Sequence, residues 1–554
     1  MLARSDSHPV RSTLLFRWLP DRRQVRCLFM LLATVVCCVP GLVQAATSDV
    51  NPPLVEGGAI LGYTISPNSS HIVFAAERDV AGMQELFRIP VGGGVSVKLN
   101  APLGPEGDVR RWYFSPDGNY VLYLADAEID EQVELFSVGV SGGAVVKLNG
   151  SLPVNGDVNN AQVTPDGSRV LYWADQEQDE VFELYSVSIQ GGPVVKLNKP
   201  LHLPPDFEFY TVDAVIAPDG MFVVTHADQD GNGRELYRVP ITGGPSLKLN
   251  TSLTTGDTIK RFRLSPDGAQ LLYLLYQAVS NHTELYATSV VGGSVWKLNH
   301  PLADNWHVRD FDVTPNSQYV LYTHGQNDDW VPDLYSVPIL GGVQVKLNTL
   351  VQDDVIDDFN PTADSSRVVY RGGIDSDQPQ LYSAPVTGGT VLHLNQPQPA
   401  IRSVINARLS PNGEWVAIDV LLGTSDDEPM VGGLFLVATT GGAIQQVNLP
   451  LGPDDGLGDY EFTPDSGFLI FEQGQTRNEI HLNLYAVPLT GGSARLLSNA
   501  LPTSGSITGF RVAADSRFVL YRAYVEPESP LNLYVAALQE AGGDFLLHLP
   551  LIRS

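Results

Sequence analysis

The chain has 554 residues, with 34 Lys and Arg against 62 Asp and Glu, a formal charge of −28, and 43% hydrophobic residues. So acidic a chain repels nucleic acid and anionic membranes, which argues against both as partners. Its apolar content is too high for an acidic disordered tail, and three cysteines are too few for a disulfide scaffold.

The first predicted element is a secretory signal over 1–45. Residues 1–26 hold six arginines (Arg4, Arg11, Arg17, Arg22, Arg23, Arg26), the uncharged run Cys27 to Val39 follows, and Val43-Gln44-Ala45 offers a small-residue cleavage site. Basic, apolar and cleavable segments in that order mark an export signal. The 13-residue run is short of the roughly 20 residues that a spanning helix needs. Cleavage removes all three cysteines (Cys27, Cys37, Cys38) and leaves 28 basic against 60 acidic residues. The mature chain is then expected to be periplasmic, cell-surface or extracellular. It would have no thiol chemistry, no Cys-ligated metal and no transmembrane span.

From residue 46 onward the chain is one predicted domain of repeats. Lys-Leu-Asn recurs at Lys98, Lys147, Lys196, Lys248, Lys297 and Lys346, with weaker copies at His393-Leu394-Asn395 and Gln446-Val447-Asn448. The asparagines fall at 100, 149, 198, 250, 299, 348, 395 and 448. Ten Gly-Gly pairs, starting at Gly93 and ending at Gly542, and ten Leu-Tyr or Leu-Phe pairs keep the same phase. A turn of the form Pro116-Asp117-Gly118 lies upstream in each copy, relaxed to Pro-Asn-Ser at Pro67 and Pro315 and to Ala-Asp-Ser at Ala363 and Ala514. The repeats run over about 51–100, 101–149, 150–198, 199–250, 251–299, 300–348, 349–395, 396–448, 449–498 and 499–549.

Repeat 2 shows what each copy builds. Val109–Ser115 reads as a strand, Pro116-Asp117-Gly118 as a turn, and the apolar run Tyr120–Ala125 as a strand buried on both faces. Asp126–Gln132 is a polar loop, Val133–Val140 a third strand, Gly142-Gly143 a tight hairpin turn, and Ala144–Asn149 a fourth strand. One such sheet cannot bury both of its faces alone, but radial stacking against neighbours can. The fold class expected is all-β, a β-propeller of four-stranded antiparallel blades in ten tandem repeats. The lack of any long junction favours one ring over two. The chain has eight lysines, and six occupy the Lys-Leu-Asn position. On an outermost strand they would blunt edge-to-edge aggregation.

Blades with Ser/Thr-Pro-Asp-Gly, a short apolar strand, Glu-Leu-Tyr and a Gly-Gly hairpin resemble the TolB-like, WD-repeat-like propeller family over residues 51–549. That resemblance implies a propeller and says little about activity. Relatives in it include the propeller of prolyl oligopeptidase-like peptidases and lyases with a His-rich channel site. Here there is no Gly-x-Ser-x-Gly, His-Glu-x-x-His or P-loop motif. His226, His300, His307 and His324 lack metal-ligand spacing and read as surface or hydrogen-bonded side chains.

Two candidate sites follow. Asp228-Gln229-Asp230-Gly231-Asn232-Gly233 resembles the start of a calcium loop, which makes Asp228, Asp230 and Asn232 candidate ligands and calcium the one cofactor to consider. Position 12 of that loop is Val239 and Arg234 adds a positive charge, so a hairpin turn is the competing reading. The loops joining second to third strands are strongly acidic, with Asp126, Glu128 and Asp130 in repeat 2 and Asp175, Glu177 and Asp179 in repeat 3. The returns between repeats add Asp108, Asp157 and others. These residues are expected to bind a basic or cation-bridged protein or glycan partner. The function expected is a non-enzymatic interaction or ligand-binding scaffold. The alternatives are a carbohydrate-active lyase or hydrolase with a channel site and a calcium-dependent adhesive module.

Overall fold

The computed structural model describes residues 58–203, 208–303, 305–326, 333–349, 355–373, 378–396, 401–423, 431–452, 454–476, 480–498, 501, 504–526, 531–538 and 549–552. The signal segment, 1–45, lies outside them. All regular structure among the described residues is β-strand, with no helix that could cross a membrane.

The strands form ten sheets, each built on four antiparallel strands in simple sequence order; the third also takes Tyr210–Thr211 as a two-residue parallel partner of Val181–Phe182. The first blade consists of Ile60–Ile65, His71–Ala76, Glu85–Pro90 and Val97–Lys98; the second of Val109–Phe114, Tyr120–Ala125, Glu134–Gly139 and Val146–Lys147. Blades three to ten repeat this plan over 158–196, 213–248, 258–297, 306–346, 355–393, 401–446, 455–496 and 506–552. The fourth strand is a two-residue pairing in most blades, shorter than the repeat suggested. In blade ten it is Leu549–Ile552, which gives the C-terminal residues a place in the sheet.

Alternation along each strand explains the continuous apolar runs. In blade three, Tyr172 and Tyr185 pack against Leu122, Leu124 and Leu135 of blade two. Their neighbours Leu171 and Leu184 point the other way, against Val212, Val223 and Tyr237 of blade four. Both faces of the sheet are therefore core, with an apolar layer in the seam on each side. Within the sheets, aromatic side chains stack across the second and third strands, as Tyr123 does on Phe136 with centroids 5.1 Å apart.

Turn chemistry is equally regular. Ser115 Oγ accepts the Tyr120 N–H at 2.9 Å and donates to Asp117 Oδ1 at 2.5 Å. Gly118 sits at φ 71°, and a Cβ there would lie 2.9 Å from Asn68 of the preceding turn. Where serine replaces this glycine it keeps a positive φ, 59° at Ser317 and 54° at Ser69. Its hydroxyl then accepts a backbone N–H from the preceding blade: Ser317 from Asp267 at 3.0 Å, and Ser69 from Asp515 at 3.2 Å. Non-glycine strain at φ > 0 is thus offset by an inter-blade hydrogen bond.

The last of those bonds joins blade ten to blade one. Tyr63 also donates to Gly509 O at 2.9 Å, and Leu520 and Leu533 join the apolar cluster of Ile60, Phe74 and Phe87. The ten blades form a single ring, closed by face-to-face packing of the first and last sheets.

The asparagine of Lys-Leu-Asn has a structural task. Its Oδ1 accepts the N–H of the third-strand leucine, as Asn149 does from Leu135 at 2.9 Å, and this recurs in blades one to eight. Ser498 does the same for Leu484 in blade nine. The lysine does more than blunt an edge. In each of the first six blades it pairs with the third-strand acid, as in Lys297–Glu284 at 2.9 Å and Lys346–Asp333 at 2.6 Å.

Candidate functional site

The loops between second and third strands open on the same end of the ring as the returns between blades. Two sorts of backbone bond hold them. In several blades the start of the inner strand donates to the start of the preceding blade's third strand, as Val109 N–H does to Gln84 O and Val158 N–H to Val133 O, both at 2.9 Å. Return-loop acids then cap the third strand: Asp108 accepts the Gln84 N–H and Asp157 the Val133 N–H, both at 2.6 Å. Asp108 and Asp157 are thus seam residues as well as surface charges.

The six loop acids fall into three kinds. Asp126 and Asp175 are buried, at 2% and 1% exposure, and organise their loops. Asp126 accepts the Asp108 N–H at 2.7 Å and the Arg110 guanidinium at 2.9 Å. Burial alone would raise its pKa, but those two donors hold it below the ordinary value. Asp175 accepts the N–H groups of Asp157 and Glu180, yet burial dominates and its pKa is raised. Glu128 and Glu177 are exposed and pair with Lys147 at 3.2 Å and Lys196 at 2.8 Å. Asp130 and Asp179 are exposed and line a cleft of about 590 Å³ between the second and third blades.

That cleft is neither purely acidic nor purely polar. Glu131 and Glu180, both at φ 63°, join Asp130 and Asp179 in its wall, with Ile129, Leu152, Pro153 and Val154 beside them. Asp157 lies at its inner end and also lines a second cavity of about 200 Å³. The second cavity brings in Arg110, Arg111, Leu124, Val133 and Phe182. The sequence reading missed this inner part. The signal was there: two adjacent arginines in an inner strand of a strongly acidic chain.

The Asp228 loop is a self-contained turn in this structure. Asp228 Oδ1 accepts the Gly231 N–H at 2.8 Å and its Oδ2 the Gly233 N–H at 3.2 Å. Asp230 accepts the Asn232 N–H at 3.2 Å and faces Lys248 at 3.5 Å. Among the described residues no group of three or more His, Cys, Asp or Glu side chains is placed to hold a metal ion.

Three of the four histidines, His226, His300 and His307, are hydrogen-bonded as expected, and His324 departs from that reading. His226, His307 and His324 are buried. His226 Nδ1 lies 3.3 Å from Asp213, and His307 Nδ1 accepts the Thr283 N–H at 3.1 Å. Among the described residues His324 has no hydrogen-bond partner at either ring nitrogen, and it packs among His300, Trp306 and Tyr335 with centroids 4.7 to 5.0 Å away. Burial and the neighbouring His300 push its pKa down to about 4.

No family model matches the chain, and no curated protein is similar to it in sequence. Among solved structures it is similar to a prolyl endopeptidase, at 9% identity and TM-score 0.36, over 67% of this chain and 55% of that one. It is also similar to an oligogalacturonate lyase in complex with manganese, at 15% identity and TM-score 0.33, over 59% of this chain and 89% of that one. A third is a putative TolB from Agrobacterium tumefaciens, at 16% identity and TM-score 0.28, over 45% of this chain and 83% of that one. The chain thus spans about half the length of the peptidase it matches. The fold rests on the blades' own topology.

Proposed function

We propose that this is an exported, non-enzymatic propeller that binds a basic partner on the loop end of the ring, at the cleft between its second and third blades. The observation that supports this is the cleft itself, in which exposed carboxylates stand beside exposed apolar side chains, Ile129 and Val154. Such a lining suits a cationic segment with an apolar side chain, and a rigid ring presents it without reordering. The Pro-Asp-Gly and Gly-Gly end carries short turns instead, whose aspartates, such as Asp117 and Asp166, accept from hydroxyl and N–H groups of their own turns.

The test uses an amidated Lys-rich peptide with a leucine at one end, measured by surface plasmon resonance. The combined variant Glu128→Gln, Asp130→Lys, Glu177→Gln and Asp179→Lys is expected to lose binding at least tenfold, and rising salt to weaken the unmodified protein. Replacing Ser141 and Gln190 by lysine on the opposite end is the control. Equal binding by both variants would refute the proposal. Export is checked by the intact mass of the secreted chain, which should correspond to cleavage after Ala45 or Ala46.

A further inference from the structure

The two cavities between blades two and three adjoin, sharing Asp157 in their walls, one lined by the rim loops and the other by the inner strands. They differ in charge. The outer one has Asp130 and Asp179; the inner one has Arg110 and Arg111. The inner cavity also has an apolar wall, with Leu124, Val133 and Phe182, and it shares the Asp157 carboxylate with the outer cleft. The inner arginines are poised differently from each other. Arg110 is oriented by Asp126 at 2.9 Å while its side chain stays 47% exposed. Arg111 is exposed and makes no ion pair among the described residues; its one hydrogen bond is a long one to Asn159 O, at 3.5 Å. An arginine left without a carboxylate, in a chain so rich in carboxylates, is available to an anion from outside.

A ligand complementary to the two adjoining cavities carries an anion, then an apolar group, then a cation. The C-terminal end of a basic polypeptide has these in that order: its terminal carboxylate, an apolar last residue, and lysine or arginine a few residues before. We infer that these cavities capture the free C-terminus of such a chain, with Arg111, supported by Arg110, holding the terminal carboxylate. The inference rests on the binding reading above and adds to it the polarity of the bound segment. Planar guanidinium groups suit carboxylate oxygens in a paired geometry, and capture of a chain terminus gives direction that an acidic face alone does not.

The experiment measures fluorescence anisotropy of the labelled hexapeptide Lys-Lys-Gly-Ser-Gly-Leu, as free acid and as amide, on the full ring. The free acid is expected to bind about tenfold tighter than the amide, a difference of one charge-assisted contact. Arg111→Gln should erase that preference, so that the free acid and the amide bind this variant equally. Asp130→Lys with Asp179→Lys should weaken both forms together. Equal affinity for acid and amide, with both still lost on reversing the acids, overturns the C-terminal inference and leaves the acidic-face reading standing. Failure of both forms to bind overturns the two together.

Discussion

Blades one to six and blades seven to ten share a backbone plan but spend charge in different places. In the first six, an acid at the start of the Leu-Tyr strand is paired with the Lys-Leu-Asn lysine, and Glu235 is wholly buried in that pair. In blade seven the two positions hold Gln380 and His393, in blade eight Gly433 and Gln446, in blade nine Asn483 and Leu496. The acid and the lysine disappear together. In their place neutral bonds form: Gln380 accepts from Asn395 at 2.6 Å, and Asn483 from Ser498 at 2.9 Å. A buried carboxylate without its cation is costly, while a neutral pair of similar shape is not. The lesson is that the lysine answers the acid, whereas the asparagine or serine that caps the leucine N–H belongs to the blade itself.

The second strand shows the reverse trade. Its fifth residue is Ala75, Leu124, Trp173, His226, Leu274 or Thr323 in blades one to six, but Arg371, Asp419, Glu472 or Arg522 in blades seven to ten. Arg371 reaches Asp357 at 3.4 Å, Asp358 at 3.5 Å and Val404 O at 3.3 Å. Arg522 reaches Ile60 O and Leu61 O, each at 3.4 Å. Here charge ties one blade to the inner strand of the next, including across the ring closure.

The comparison can be broken most forcefully in blade four. Lys248→Met strands the Glu235 carboxylate and should cost about 3 kcal/mol. The double variant with Glu235→Gln imitates the neutral blades and should recover most of it, read as midpoints in urea. If the single and double variants are equally destabilised, the pairing argument fails. A smaller loss, about 2 kcal/mol, is expected for Asn299→Ala, which leaves the Leu285 N–H buried and unpaired. Asn299→Ser, the blade-nine solution, should lose less than the alanine variant.

At neutral pH the smallest effects are those that titrate. His324, at the seam of blades five and six near His300, Asp333 and Lys346, has a pKa pushed down from 6.5 to about 4. Its neutral form is the native one, so that seam keeps its stability above pH 6.5 and loses it as pH falls toward 4. Glu472, in blade nine, has a pKa raised by burial from 4.5 to about 6. Its contribution is present below pH 4.5 and lost as pH rises through 6, the opposite sign. Melting temperature against pH should therefore lose its acid limb in His324→Phe and gain above pH 6 in Glu472→Gln. Unchanged profiles would show that neither seam governs the ring.

What the sequence determined by itself is whatever repeats locally: the strands, the Pro-Asp-Gly and Gly-Gly turns and the count of ten. Each depends on backbone preferences and side-chain alternation within about 50 residues, and such patterns survive in a linear reading. The loop acids were legible too, but as one class. Only the tertiary structure separated Asp126 and Asp175, buried as loop anchors, from Asp130 and Asp179, which face the cleft. It alone joined Arg110 and Arg111 to that cleft, set Glu235 against Lys248, and brought Ser69 to Asp515 across a chain separation of 446 residues. The reason is physical. Burial and pairing in a propeller arise where neighbouring blades meet face to face, and those faces are built from residues one repeat apart or, at the closure, from opposite ends of the ring.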